Sequence, residues 1–231
     1  MSYNTTIPPG KAAGCLPRKT RFAEKCRAFS DAIEVIPRAK WPNFIAQQPG
    51  LESCVTEIFD QDGRGSCASE STTQALQIAR AFAGREWVQL SPWFVYHTVS
   101  GGRDNGSSID ENLEFAREHG IAPMSLWPRD KGWRSNPSTE AVEAAKLYRI
   151  DEYFDIASIE EFGTALLLGM PVVYGRKGHA ICAVRLLDKN TILYANSWDK
   201  SWGMNGFGED ALSSVNFSYG AFAVRTSTEA A

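Results

Sequence analysis

Apolar residues recur at steps of three and four after Cys67: Ala75, Leu76, Ala79, Phe82 and Ala83, with Gly84 at the C-cap position. This spacing predicts an amphipathic helix. Gly63 and Gly65 extend a helix poorly, so it starts at or just before Cys67. Ser108 and Glu111 form a capping box, Leu113 and Ala116 share a face, and Gly120 closes a second helix. A third helix is expected from Asn136-Pro137, with proline at its first position, through Leu147. A fourth opens on Ser158 and Glu161 and ends at Gly169. Beyond Pro171 the pattern shortens to "PVVY", "HAICAVRLL", "TILYANS" and "AFAVR", with Asp188-Lys189-Asn190 as a hairpin turn. Helices first and strands last predict an α+β fold, with a helical lobe over about residues 50–150 and a sheet lobe over about 151–231.

Residues 1–35 differ from the rest. They hold Pro8, Pro9, Pro17 and the basic residues Arg18, Lys19, Arg21, Lys25 and Arg27. They read as a surface arm ahead of a body that begins at residue 36. Pro17 favours extended backbone at Leu16. "GCLPRKTRF" is therefore a strand-like run that either packs permanently on the body or rests in a cleft and restrains it.

Composition narrows the function. The 231 residues are 43% hydrophobic and 22% charged, with net charge −3. No broad basic face invites nucleic acid, and no apolar run approaches the roughly 18 residues of a membrane span. "MSYNTTIPPGKAAG" lacks the charged and apolar regions of a secretory signal. Five cysteines, an odd number without a C-x-x-C, argue against a disulfide framework or a zinc site. Reduced thiols in a cytoplasmic setting, without cofactor or metal, are the expectation. Oligomeric state is not legible.

The chemistry centres on "FDQDGRGSCASE". Cys67 lies among Gly63, Arg64, Gly65 and Ser66, none of them core residues, at a helix N-terminus where unpaired N–H groups favour a thiolate. Such a nucleophile needs a base. Of the three histidines, His97 and His119 read as packing or helix-end residues, whereas His179 follows Gly178 and opens a strand in the other lobe. Asn196 ends the strand that the hairpin turn brings back beside His179, where an amide can orient an imidazole. Trp198 and Trp202 follow and can cover that bond.

Together these segments resemble the papain-like cysteine peptidases. "QDGRGSCAS" is similar to their nucleophile turn, "GHA" to their histidine segment, and "NSWDKSWGMNGFG" to their asparagine segment, in the family's order. The resemblance spans roughly Ile36 to Arg225. It implies a two-lobed fold and peptide hydrolysis through a thioester. It makes Cys67 the nucleophile, His179 the base and later the acid, and Asn196 the orienting group. Gln61 and the Cys67 N–H become the oxyanion donors, and Trp198 the shield. Gly65, Ser66 and Gly178 would line the substrate site. Gly101-Gly102 and Gly106-Ser107 both fit the cleft edge that pairs with substrate backbone. Arg64 and Ala68 stand where the family usually has a cysteine and an aromatic residue. With the disulfide partner also missing, the chain looks like the disulfide-poor bacterial or phage branch. These departures also leave room for a low-turnover scaffold that binds without cutting.

Overall fold

The computed structural model describes residues 7–18 and 26–226; Lys19, Arg21 and Lys25 of the basic cluster lie outside them. A two-residue strand, β1 (Cys15–Leu16), comes first, followed by β2 (Arg27–Ala28), α1 (Phe29–Ala32) and α2 (Trp41–Gln47). The helical lobe holds α3 (Cys67–Phe82), α4 (Pro92–Val99), β3 (Ser107–Ser108), α5 (Ile109–Glu118) and α6 (Thr139–Ala145). The sheet lobe holds β4 (Glu152–Asp155), α7 (Ile159–Leu167), β5 (Val172–Arg176), β6 (His179–Leu186), β7 (Thr191–Ala195), β8 (Phe207–Ala211) and β9 (Ala221–Arg225). This is the expected mixed α+β order.

Seven strands form one sheet in the order β2-β4-β9-β5-β6-β7-β8, antiparallel at every pair except β2 with β4. Its two faces bury different sets. Cys182, Val184, Phe222 and Val224 pack with Leu76, Ile78 and Ala79 of α3. Tyr174, Ile181 and Ala183 pack with Phe162 of α7 and Trp41 of α2. The alternation along β6 thus feeds two cores, as the period of two requires.

α3 departs from the amphipathic expectation. Every residue from Cys67 to Ala79 is buried, because the helix lies between the sheet and helices α4 and α5. Several of its polar side chains find internal partners, although Thr72 Oγ1, Gln74 Nε2 and Gln77 Nε2 are buried without one. Ser69 Oγ donates to Asn112 Oδ1, Thr73 Oγ1 donates to the Ser69 carbonyl at 2.8 Å, and Gln77 Oε1 accepts from the Leu90 N–H at 3.0 Å.

One helix start and one capping bond are revised. α6 begins at Thr139, capped by Ser138 Oγ, which accepts from the Ala141 N–H at 3.2 Å, so Pro137 lies outside it. At α7, Ser158 Oγ accepts from the Glu161 N–H, but Glu161 Oε2 reaches past the cap to the Ala157 N–H at 2.6 Å.

The first residues split in two. Phe29 is fully buried, edge-on to Phe154 at 6.2 Å, so residues 26–33 belong to the body. Residues 7–18 instead lie across the junction of the lobes.

Candidate active site

Local backbone dictates where each group sits. Asp62 and Gly63, at φ +50° and +67°, turn the chain before α3. The Gly65 N–H donates to Asp104 Oδ1 at 2.8 Å, an oxygen that also accepts from the Tyr96 hydroxyl at 2.8 Å. Cys67 is then the first residue of α3, where N–H groups have no helical acceptor. On the sheet side, Lys177 and Gly178 have φ +44° and +80°. They form the two-residue turn, positive at both positions, that suits a tight hairpin, and it hands His179 to β6 opposite Arg176.

His179 Nε2 lies 2.7 Å from Asn196 Oδ1, and that oxygen also accepts from the Ser197 N–H at 2.8 Å. The hydrogen bond to Asn196 leaves Nδ1 as the other functional nitrogen; it is buried and has no hydrogen-bond partner. Trp198 stacks on the imidazole, with centroids 4.5 Å apart and planes 21° apart, and Trp202 meets Trp198 edge-on at 5.4 Å. Trp198 covers one face of the ring, and Trp202 packs against Trp198.

Gln61 is fully buried and spoken for at both ends. Its Oε1 accepts from Ser197 Oγ at 2.8 Å and Trp198 Nε1 at 3.1 Å. That fixes Nε2 as the inward-facing donor, to the Arg64 carbonyl and, at 3.0 Å, to the carbonyl of Ala12.

Ala12 belongs to the arm. The N–H groups of Gly14 and Cys15 both donate to the Gly178 carbonyl, at 3.0 and 2.9 Å, and the Ser107 N–H donates to the Gly14 carbonyl at 2.9 Å. β1 pairs parallel to β3, Cys15 opposite Ser107. Lys11 ties one end to Asp60 at 3.1 Å, and Arg18 grips Asp155 with two bonds of 2.9 Å at the other. Gly14 is wedged so tightly that a Cβ would lie 2.1 Å from the Gly65 carbonyl oxygen. Gly106, at φ +78°, faces it from the opposite wall; a Cβ there would lie 2.3 Å from the Gly14 carbonyl oxygen.

Of the two expected cleft edges, Gly106-Ser107 is therefore the one that pairs with a strand. Gly101 and Gly102 form a turn after α4, with nothing among the described residues within 4 Å of their would-be Cβ atoms. Gly65 and Gly178 touch the arm strand directly. Ser66 instead turns inward, donating from Oγ to Glu70 Oε1 at 3.2 Å.

Electrostatics under the arm differ from the expectation for a bare helix N-terminus. Burial pushes the Cys67 thiol up to about 11, against the pull of the Ala180, Gly14 and Ala68 N–H groups. Burial likewise holds the His179 imidazole down at about 4, although its bond to Asn196 opposes this. Both groups are thus neutral at pH 7, because charge is costly where water is excluded. The five cysteines are all free thiols, and among the described residues no cluster of three or more His, Cys, Asp or Glu could hold a metal.

No family model matches the sequence. A peptidase C1-like protein of Acanthamoeba polyphaga mimivirus is 28% identical over 205 residues, which cover 68% of this chain and 64% of that protein. Pro-cathepsin H of Mus musculus is 27% identical over 188 residues, covering 66% of this chain and 55% of its own. Xylellain, a cysteine protease from Xylella fastidiosa, shares the fold with a TM-score of 0.74 and 19% identity, over 96% of this chain and 100% of that one. The chain has the papain-like fold, and its sequence is similar to that of peptidase C1-like and cathepsin proteins. It spans about 64% and 55% of the length of the two curated relatives it matches. The papain-like fold accounts for the two lobes, with Cys67 on one and His179 and Asn196 on the other.

Sequence reading missed several residues of this site. Glu70, Ser197, Asp104, Arg129 and Gly14 all contact its elements. The one available signal was Glu70, a carboxylate one turn from Cys67.

Proposed function

We propose that this chain is a cysteine peptidase held latent by its own N-terminal strand. The observation that carries the reading is the His179–Asn196 bond at 2.7 Å, stacked under Trp198, with the inward nitrogen unpartnered. An imidazole so oriented is set to exchange a proton with a thiol.

With the arm displaced, water returns and the Cys67–His179 pair is free to ionise. Sγ then attacks a peptide carbonyl carbon, and the π electrons move onto oxygen. Gln61 Nε2 and the Cys67 N–H receive that oxyanion; the Ala12 carbonyl marks the place of the Gln61 donor. His179 gives its proton to the amine as the C–N bond breaks, leaving a thioester. Water attacks the thioester, His179 takes the water's proton, and the thiolate leaves. Each oxyanion donor is worth about 2.7–4 kcal/mol of barrier.

The substrate is a peptide or protein whose backbone takes the extended path now followed by Gly14 and Cys15 along Gly106-Ser107. Five free thiols, one of them the nucleophile, support work in a reducing, cytoplasmic setting. A binding scaffold would not need Gln61 buried with its donor turned inward. Peptide cleavage by Gly14→Ala protein with and without Cys67→Ala tests the reading. Cleavage that needs Cys67 is expected, and equal cleavage by both would end it.

A further inference from the structure

Behind the nucleophile, Glu70 is fully buried one turn along α3 from Cys67. Its carboxylate accepts from Ser66 Oγ at 3.2 Å, Trp93 Nε1 at 3.1 Å, and Arg129 Nη2 at 3.1 Å. The same guanidinium lies against the rings of Phe59 and Trp93, at 5.7 and 5.2 Å. Its Nη1 donates to the Asp60 carbonyl at 2.6 Å. Asp60 immediately precedes Gln61, so one planar group spans from the nucleophile helix to the oxyanion loop. Arg129 comes from a separate turn, Arg129–Lys131, and has no backbone link to either.

Two physical consequences follow. A planar fork fixes the distance and angle between the two segments it bonds, which a lysine does with less geometric control. Its charge also offsets Glu70. A bare carboxylate one turn from Cys67 disfavours the thiolate, and Glu70 is already among the influences that raise the thiol. Burial pushes the Glu70 carboxyl up as well, and Arg129 is the first of the groups that oppose this.

We propose that Arg129 is a positioning residue with two separable roles: its bond to the Asp60 carbonyl sets Gln61 for the oxyanion, and its charge masks Glu70 from the Cys67 thiolate. This presupposes the peptidase reading above. Both roles act through other groups: the Asp60 carbonyl next to Gln61, and Glu70 one turn from Cys67.

The test uses the full-length chain in both wild-type and Gly14→Ala backgrounds. Two readouts are taken: turnover of a peptide amide, and the pH dependence of Cys67 alkylation by iodoacetamide. Thermal melting verifies folding. Arg129→Met should lower amide turnover by about ten- to a hundredfold, the scale of a misplaced catalytic group, mostly in kcat. It should also move the alkylation midpoint to higher pH. The double variant Glu70→Gln/Arg129→Met should return the midpoint to its starting value while turnover stays low, because the Asp60 carbonyl remains unheld.

Arg129→Lys keeps the charge and covers the case in which the methionine variant does not fold. It should hold the midpoint and still lose turnover. Parental turnover and midpoint in a folded Arg129 variant would overturn the proposal. So would turnover and midpoint returning together in the double variant. If neither the Gly14→Ala parent nor a chain starting at Cys26 cleaves peptide, the peptidase reading fails, and the alkylation midpoint still decides whether Arg129 masks Glu70.

Discussion

On the proposed reading, Gly14→Ala should displace the arm and raise peptide turnover. Gly14 does not need positive φ, so alanine suits its backbone. The obstacle is the cleft wall: the new methyl would lie 2.1, 2.3 and 2.4 Å from the oxygen, carbon and Cα of Gly65. All three are backbone atoms held by the Asp104 bond to the Gly65 N–H at 2.8 Å, so the arm must yield. Forcing one extra methyl into a packed site costs about 1–3 kcal/mol. The closed-to-open ratio should then fall by about five- to 150-fold, and turnover should rise by up to that factor if the wild-type chain is mostly closed. Displacing the middle of the arm gives up four bonds, Gly14 N–H and Cys15 N–H to Gly178, Ser107 N–H to Gly14, and Gln61 to Ala12, apart from the ties of Lys11 to Asp60 and Arg18 to Asp155 at its ends. At about 1 kcal/mol each, these four central bonds contribute a few kcal/mol to the latency. The assay is peptide turnover alongside the second-order rate of Cys67 alkylation, with a chain starting at Cys26 as the open reference. A start at Glu34 would strip Phe29 from the core. If Gly14→Ala and wild type match in both rates while the Cys26 start is faster, the wedge at Gly14 is not what holds the arm. If all three match, the arm does not inhibit.

Gln61→Ala in the Gly14→Ala background should lower turnover by about a hundred- to a thousandfold with little change in alkylation, since alkylation builds no oxyanion. Equal losses would mean that Gln61 acts through its bonds to Ser197 and Trp198. Asn196→Ala should cost less activity than His179→Ala, because Asn196 orients the ring and moves no proton; equal losses in folded proteins would contradict that division. The pH dependence of closure follows from the two shifted groups. His179 is held at about 4 under the arm, so the closed form loses stability as pH falls from its ordinary value near 6.5, by up to about 1.4 kcal/mol per unit. Cys67 is held at about 11, so closure also weakens as pH rises above about 9. The alkylation advantage of Gly14→Ala over wild type should peak between these limits and shrink on both sides; a flat ratio would refute the linkage.

The site was legible where chemistry forces local sequence. A thiol in a glycine turn, a histidine after a hairpin glycine and an asparagine before tryptophans are each set by short-range backbone demands. The Asp188 turn was legible for the same reason: its Oδ1 accepts from the Asn190 and Thr191 N–H groups. The burial of α3 on every side was not, because the partners of Ser69, Glu70 and Gln77 Oε1 come from α5, the Arg129 turn and Leu90. The choice between Gly101 and Gly106 stayed open because both are glycines with positive φ, and only the position of Gly14 separates them. The thiol's upward shift was hidden as well. A helix N-terminus favours a thiolate, but the arm removes the water that would let it form.

The thioester is the most direct test of the account. Gly14→Ala protein is mixed with an activated peptide ester, quenched in acid within the first turnover, and read by intact-mass and fragment-mass spectrometry. An acyl adduct should appear on Cys67, at up to one per chain, and vanish on treatment with hydroxylamine and in Cys67→Ala. Undiminished turnover with no adduct, or an adduct on Cys15, Cys26, Cys54 or Cys182 instead, would contradict it.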